Sequence, residues 1–118
     1  MTLEACYGEM GGDLNAALRV LESETRLTRY LIRFLDEPTA RMLLLALEDA
    51  RWEDAARAAH TMKGLCRGLG LMPLHDACCA LTDALRENRP PEDVQIAGRV
   101  KAEYERVVRA IRALESGG

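Results

Sequence analysis

Near the middle of the chain, His60, Lys63 and Gly64 set a nucleophile, a fixed positive charge and a gap about one helical turn apart. An unprotonated imidazole nitrogen can attack phosphorus. An ammonium three residues on, within reach on the same side of a helix, can offset the charge of a phosphorylated ring and orient its oxygens. Lys63 is one of only two lysines, and arginine supplies the rest of the positive charge. Glycine inside a helix costs about 0.5–1 kcal/mol relative to alanine, and Gly64 lies neither at a cap nor beside a turn. What it offers is bare helix surface next to the ring, through which a partner can approach. The chemistry open to such a group is nucleophilic attack by the imidazole, with the ammonium stabilising negative charge on what it attacks.

Helical spacing places this group. Ala55, Ala59, Met62, Cys66 and Leu69 form the apolar stripe of one helix, while His60 shares another face with Glu53, Arg57, Gly64, Arg67 and Gly68. His60 is therefore expected in solvent, where an exposed histidine without a role is the alternative reading. The surface offered to a partner is expected to centre on His60, Thr61, Gly64, Arg67 and Leu71, with Arg57 and Gly68 beside them. Arg57 and Arg67 add positive potential there or simply belong to a solvated face.

The elements that must hold this helix are marked by turn residues. Gly11-Gly12 leads to Asp13, an N-cap, and Leu14, Ala17, Leu18 and Leu21 follow at helical spacing. Ser23 caps a helix with the stripe Leu27, Tyr30, Leu31, Phe34 and Leu35. Asp36-Glu37-Pro38 starts another, whose Met42, Leu44 and Leu45 lie outside the stripe of Leu43, Ala46, Leu47 and Ala50 and predict a central position. Glu53 and Asp54 open the His60 helix at the positive end of its dipole, and Gly70 ends it. Pro73 begins a helix burying Leu74, Ala77, Cys78, Leu81 and Leu85. After Asn88-Arg89-Pro90-Pro91 the last helix runs through Val100, Tyr104, Val107, Ile111 and Leu114, and Ser116-Gly117-Gly118 reads as a frayed tail. No useful length alternates with period two. The expected architecture is all-α, an antiparallel four-helix bundle from about residue 38 to 114 with two further helices at about 13–35, in one domain over 1–118.

Composition narrows the classes. The chain has 118 residues, 48% apolar and 30% charged, with net charge −3, which argues against a general nucleic-acid surface. No apolar run reaches the roughly 18–20 residues of a membrane span. Met1-Thr2-Leu3-Glu4 shows no basic stretch followed by an apolar one, so a cytoplasmic location is expected. Cys6, Cys66, Cys78 and Cys79 contain no Cys-x-x-Cys pair, and reduced, partly buried thiols are favoured over a metal site. A metal-binding bundle would use His75 and Cys79, four apart on one helix, with Cys66 or Cys78. The simpler reading puts His75 on the surface of a first turn.

The run Ala59-His60-Thr61-Met62-Lys63-Gly64, continued by Leu69-Gly70 and Leu74 and preceded by Trp52-Glu53-Asp54, resembles the histidine-containing phosphotransfer (HPt) domain family of two-component phosphorelays. The resemblance extends over about residues 27–114, and its specificity is concentrated around His60. It implies a four-helix bundle with His60 as phosphoacceptor, Lys63 as charge and orientation partner, and Gly64 as the opening for a receiver domain. Leu65 stands where a small residue often follows the glycine, and Gly68 where an amide side chain is frequent; both bear on partner choice. The implied partners are receiver domains of response regulators, including that of a hybrid histidine kinase, with Mg²⁺ held by the receiver and no cofactor here. The expected product is a monomeric phosphoryl carrier, not a kinase, since no Gly-rich nucleotide loop is visible. An interaction module of the same fold without phosphotransfer is the alternative, and a homodimer through the last helix a further one.

Overall fold

The computed structural model describes residues 1–117. Among them seven α-helices follow one another without a strand: α1 Leu3–Met10, α2 Leu14–Leu21, α3 Glu24–Phe34, α4 Pro38–Glu48, α5 Trp52–Leu69, α6 Met72–Ala84 and α7 Gln95–Gly117. Capping side chains account for several starts, because the first N–H groups of a helix have no partner inside it. Asp13 Oδ1 accepts from Ala16 N–H at 3.0 Å, and Ser23 Oγ from Arg26 N–H at 3.2 Å. Glu37 caps α4 with Pro38 in its first turn. A 3₁₀ turn at Arg86–Asn88 and the prolines after it separate α6 from α7.

Helices α4 to α7 form the bundle expected, each consecutive pair joined by a turn and packed side by side. The α5–α6 pair is the most extensive, followed by α4–α5 and α6–α7, and α3 touches both α5 and α7. The core runs through Leu31 and Phe34 of α3, Leu43 of α4, Met62 of α5, Leu74 and Leu81 of α6, and Val107 and Ile111 of α7. The buried face of α5 is dominated by Ala55, Ala58 and Ala59. Such small side chains leave little between its backbone and its neighbours, which holds the helix firmly while its opposite face stays bare. No helix among the described residues is long and apolar enough to cross a membrane.

Three expectations need correction. The first helix is α1, not the one beginning after Asp13. Leu3, Cys6, Tyr7 and Met10 of α1 are buried, and the helix packs along α7. Second, α4 is peripheral. It covers Ala40, Leu43 and Ala46 but leaves Met42 59% and Leu45 44% exposed, because only its single stripe meets α5. Third, the tail is helical through Gly117, while Gly118 lies outside the described residues.

α1 also reaches the end of α5. The Tyr7 hydroxyl donates to the Leu69 carbonyl at 2.7 Å, one of the last four of α5 and so without an intrahelical donor. Burial pushes the Tyr7 phenol well above its usual range, which keeps it a donor. Tyr7→Phe is expected to lower stability in urea denaturation by about 1 kcal/mol with helicity unchanged. Met10→Ala, at a fully buried site, should cost about 2–5 kcal/mol. An unchanged midpoint for Met10→Ala would mean that α1 lies outside the cooperative core.

Candidate functional site

His60 sits near the middle of the 18-residue α5, on the side away from Ala55, Ala59, Met62 and Cys66. It is exposed. Among the described residues, every hydrogen bond or ion pair that involves a histidine is made by His75, so both ring nitrogens of His60 are unengaged. Lys63 is half-buried, one turn before Arg67, whose guanidinium reaches His75 of α6. The ion pairs among the described residues are all made by arginines or His75, which leaves the Lys63 ammonium un-neutralised.

Gly64 is exposed, and a Cβ built on it would meet nothing within 4 Å. Gly68, half-buried one turn on, is equally open. Neither has a positive φ, so nothing inside the molecule requires glycine at either place. Gly8 and Gly98 are open in the same sense; what distinguishes Gly64 is its position one turn from His60.

The remaining surface residues divide. Thr61 is exposed, with its hydroxyl donating to the Arg57 carbonyl at 3.2 Å. Arg57 is exposed, but its guanidinium lies 3.4 Å from both Glu53 and Asp54, so its charge is locally balanced. Arg67 is exposed and turned toward α6, with Nη2 3.4 Å from His75 Nε2.

Leu71 does not belong to this surface: it is fully buried. The cause is the way α5 ends. Gly70 takes φ 68°, its N–H bonds the Arg67 carbonyl, and the Leu71 N–H bonds the Cys66 carbonyl at 2.9 Å. In such a Schellman ending the residue after the glycine folds back on the last turn, and an apolar one is packed there.

His75 also departs from expectation. It is 9% exposed, at the seam between α6 and α5, rather than on the surface of a first turn. Its Nδ1 is 3.1 Å from Asp76 Oδ1, and Cys79 Sγ is 3.7 Å from Nε2. The residue sits in the first turn of α6, but that turn is pressed against α5 along its length, so a side chain on the α5 flank is covered. All four cysteines are free thiols. Among the described residues no three His, Cys, Asp or Glu side chains are arranged to hold a metal ion.

Two apolar depressions lie along α5, and His60 lines neither. One, of about 360 Å³, lies between α4 and α5 and is lined by Thr39, Met42, Leu45, Ala58 and Thr61 with the Arg51, Asp54 and Arg57 charges at its rim. The other, of about 270 Å³, lies between α3 and α5 and includes Tyr30, Phe34, Leu65 and Leu69. Met42 and Leu45 were legible only as surplus apolar residues on α4, a signal equally suited to burial.

No curated protein and no solved structure shows a significant match to the chain. Compared with known families, residues 29–110 match the Hpt domain, from within α3 to within α7 and with His60 inside the matched span. That match covers well over half the sequence, and the chain belongs to the Hpt domain family.

Proposed function

We propose that this protein takes a phosphoryl group onto His60 from the phosphoaspartate of one receiver domain and passes it to the aspartate of another. Hpt domains serve histidine phosphotransfer in phosphorelays and interact with receiver domains of response regulators or kinases. The observation that carries the reading to His60 is its presentation: an exposed imidazole with free nitrogens, a lysine without an ion partner on one side, and open helix surface over Gly64 on the next turn.

The step is in-line substitution at phosphorus. The lone pair of His60 Nε2 attacks as the bond from phosphorus to the aspartate oxygen breaks, and the carboxylate leaves with that electron pair. The phosphoryl group now sits on nitrogen, and the Lys63 ammonium is placed to balance its charge. Return transfer runs the same path backward onto a second carboxylate. Mg²⁺ and the aspartate pocket are supplied by the receiver, and this chain supplies nucleophile, charge and access. Access is why Gly64 is left bare: any side chain there would stand between the imidazole and a partner's pocket. The apolar depression beside Thr61, with Met42 and Leu45 exposed, is the surface on which we seat the receiver.

Incubation with a receiver phosphorylated on its aspartate tests this. His60→Gln should accept no label while its circular dichroism matches the parent; undiminished labelling of that variant would sink the assignment. Gly64→Gln separates access from stability. Because nothing inside the molecule opposes a side chain there, the variant should be at least as stable, gaining about 0.5 kcal/mol, yet transfer should slow by tenfold or more, an order-of-magnitude figure for a misplaced approach. Met42→Glu is expected to weaken receiver binding without altering the thermal midpoint, and equal affinity would move the docking face elsewhere.

A further inference from the structure

A polar chain crosses the α5–α6 seam, outside the residues given roles above. Arg67 of α5 extends its guanidinium to α6, with Nη2 3.4 Å from His75 Nε2. On the far side of that ring, Nδ1 is 3.1 Å from Asp76 Oδ1. Both contacts fix the same tautomer. A guanidinium only donates, so Nε2 holds the lone pair, and an ionised carboxylate only accepts, so Nδ1 carries the hydrogen. The ring is therefore neutral, and Asp76 turns its lone pair toward Arg67. At 9% exposure the ring is confined by the packing around it.

The charge of the acceptor is what sets Arg67 apart from Arg57. The Arg57 guanidinium is held by Glu53 and Asp54, which balance its charge. Arg67 takes part in no ion pair among the described residues, and its partner is a neutral ring. It is held in place with its charge intact. It is also exposed, on the His60 face of α5, one turn past Lys63 and seven residues past His60. Seven residues span about 10 Å of helix. That separation puts Arg67 beyond a phosphoryl group on the imidazole and under the rim of a partner seated over it.

We propose that Arg67 is a docking cation that meets a carboxylate at the rim of the receiver's phosphorylation pocket, with His75 and Asp76 as positioning residues that hold it. The inference rests on the phosphotransfer reading, which places a receiver over His60. In that pocket the phosphoaspartate and the carboxylates that hold Mg²⁺ outweigh the charge of the ion, so its surroundings are net negative. A cation on the opposing helix speeds encounter and fixes register. A free arginine would lose side-chain freedom on binding. One already held by His75 has lost it on folding, so the receiver binds a group set in advance.

The test titrates the intact protein with a fluorescently labelled receiver domain in Mg²⁺ and beryllium fluoride, which stands in for the phosphoryl group, so that binding is read without transfer. Arg67→Gln should weaken binding about tenfold at low salt and flatten the loss of affinity on adding salt. In transfer assays it should raise the receiver concentration for half-maximal rate rather than lower the maximal rate. His75→Leu removes the acceptor and should weaken binding severalfold in the parent, with no further loss in Arg67→Gln. Should that buried substitution unfold the protein, Asp76→Ala decides, since the Asp76 side chain is 65% exposed. Loss of that carboxylate makes the surface more positive and would tighten binding if charge alone counted. Weaker binding, seen only while Arg67 is present, marks positioning. Equal affinity and salt dependence in Arg67→Gln, or losses from His75→Leu and Asp76→Ala that persist in full without Arg67, would overturn the proposal. A parent protein that neither binds receivers nor is labelled by them fails the phosphotransfer reading instead; a parent labelled on His60 whose Arg67→Gln variant binds as tightly fails this inference alone.

Discussion

Gly70 adopts φ 68° at the end of α5, and three separate parts of the chain are tied to the turn it makes. Its carbonyl accepts from the Asp13 N–H at 2.8 Å, fixing the start of α2. The Leu69 carbonyl beside it takes the Tyr7 hydroxyl from α1. The Leu71 N–H closes back on Cys66 and drives the Leu71 side chain into the core, which sets where α6 begins. A Cβ on Gly70 would collide with the Asp13 carbonyl oxygen, so neither the backbone angle nor the packing there accepts another residue. The end of α5 is thus clamped at three points, to α1, to α2 and to the start of α6.

With α5 held this way, its two flanks differ in kind. Toward α6 the surface is cationic and polar: Lys63 and Arg67 stand there, and Arg67 is anchored by His75. Toward α4 and α3 it is apolar, with Met42, Leu45, Leu65 and Tyr30 at least partly uncovered. A partner that must both bind and expose its own charged pocket to the imidazole gains from this split. In the phosphotransfer we propose, apolar contact on one flank would supply affinity without salt dependence, and the cations on the other would meet the phosphoryl oxygens.

Much of this was legible, and the reasons for the exceptions are physical. The caps at Asp13 and Ser23, the proline at 38 and the glycine at 70 encode boundaries locally, so they read directly. The His60 face read equally well because a helical period fixes which residues share it. α1 was encoded too: Leu3, Cys6, Tyr7 and Met10 fall at i, i+3, i+4 and i+7, with Thr2 to cap the start and Gly11 to end it. At eight residues with a glycine inside, such a segment is marginal on its own and is held by α7 and the Leu69 carbonyl, neighbours distant in sequence. Burial of Leu71 and His75, and exposure of Met42 and Leu45, are likewise decided by which helix packs where. Period alone cannot distinguish an apolar residue that meets a partner helix from one left for a partner protein.

The two histidines make that distinction chemically concrete. His75 has both ring nitrogens engaged, one by the Asp76 carboxylate and the other by the Arg67 guanidinium. A buried nitrogen engaged in that way is not open to a phosphorus atom arriving from another molecule. His60 has neither nitrogen engaged and no atom standing over Gly64 on the next turn. An exposed imidazole makes almost no contribution to folding, and Gly64 costs the helix about 1 kcal/mol relative to alanine. That deficit is comparable to the net worth of one buried hydrogen bond such as Tyr7 to Leu69. α1, which touches nothing of the site, thus adds stability of the same order at the end of the helix that carries His60.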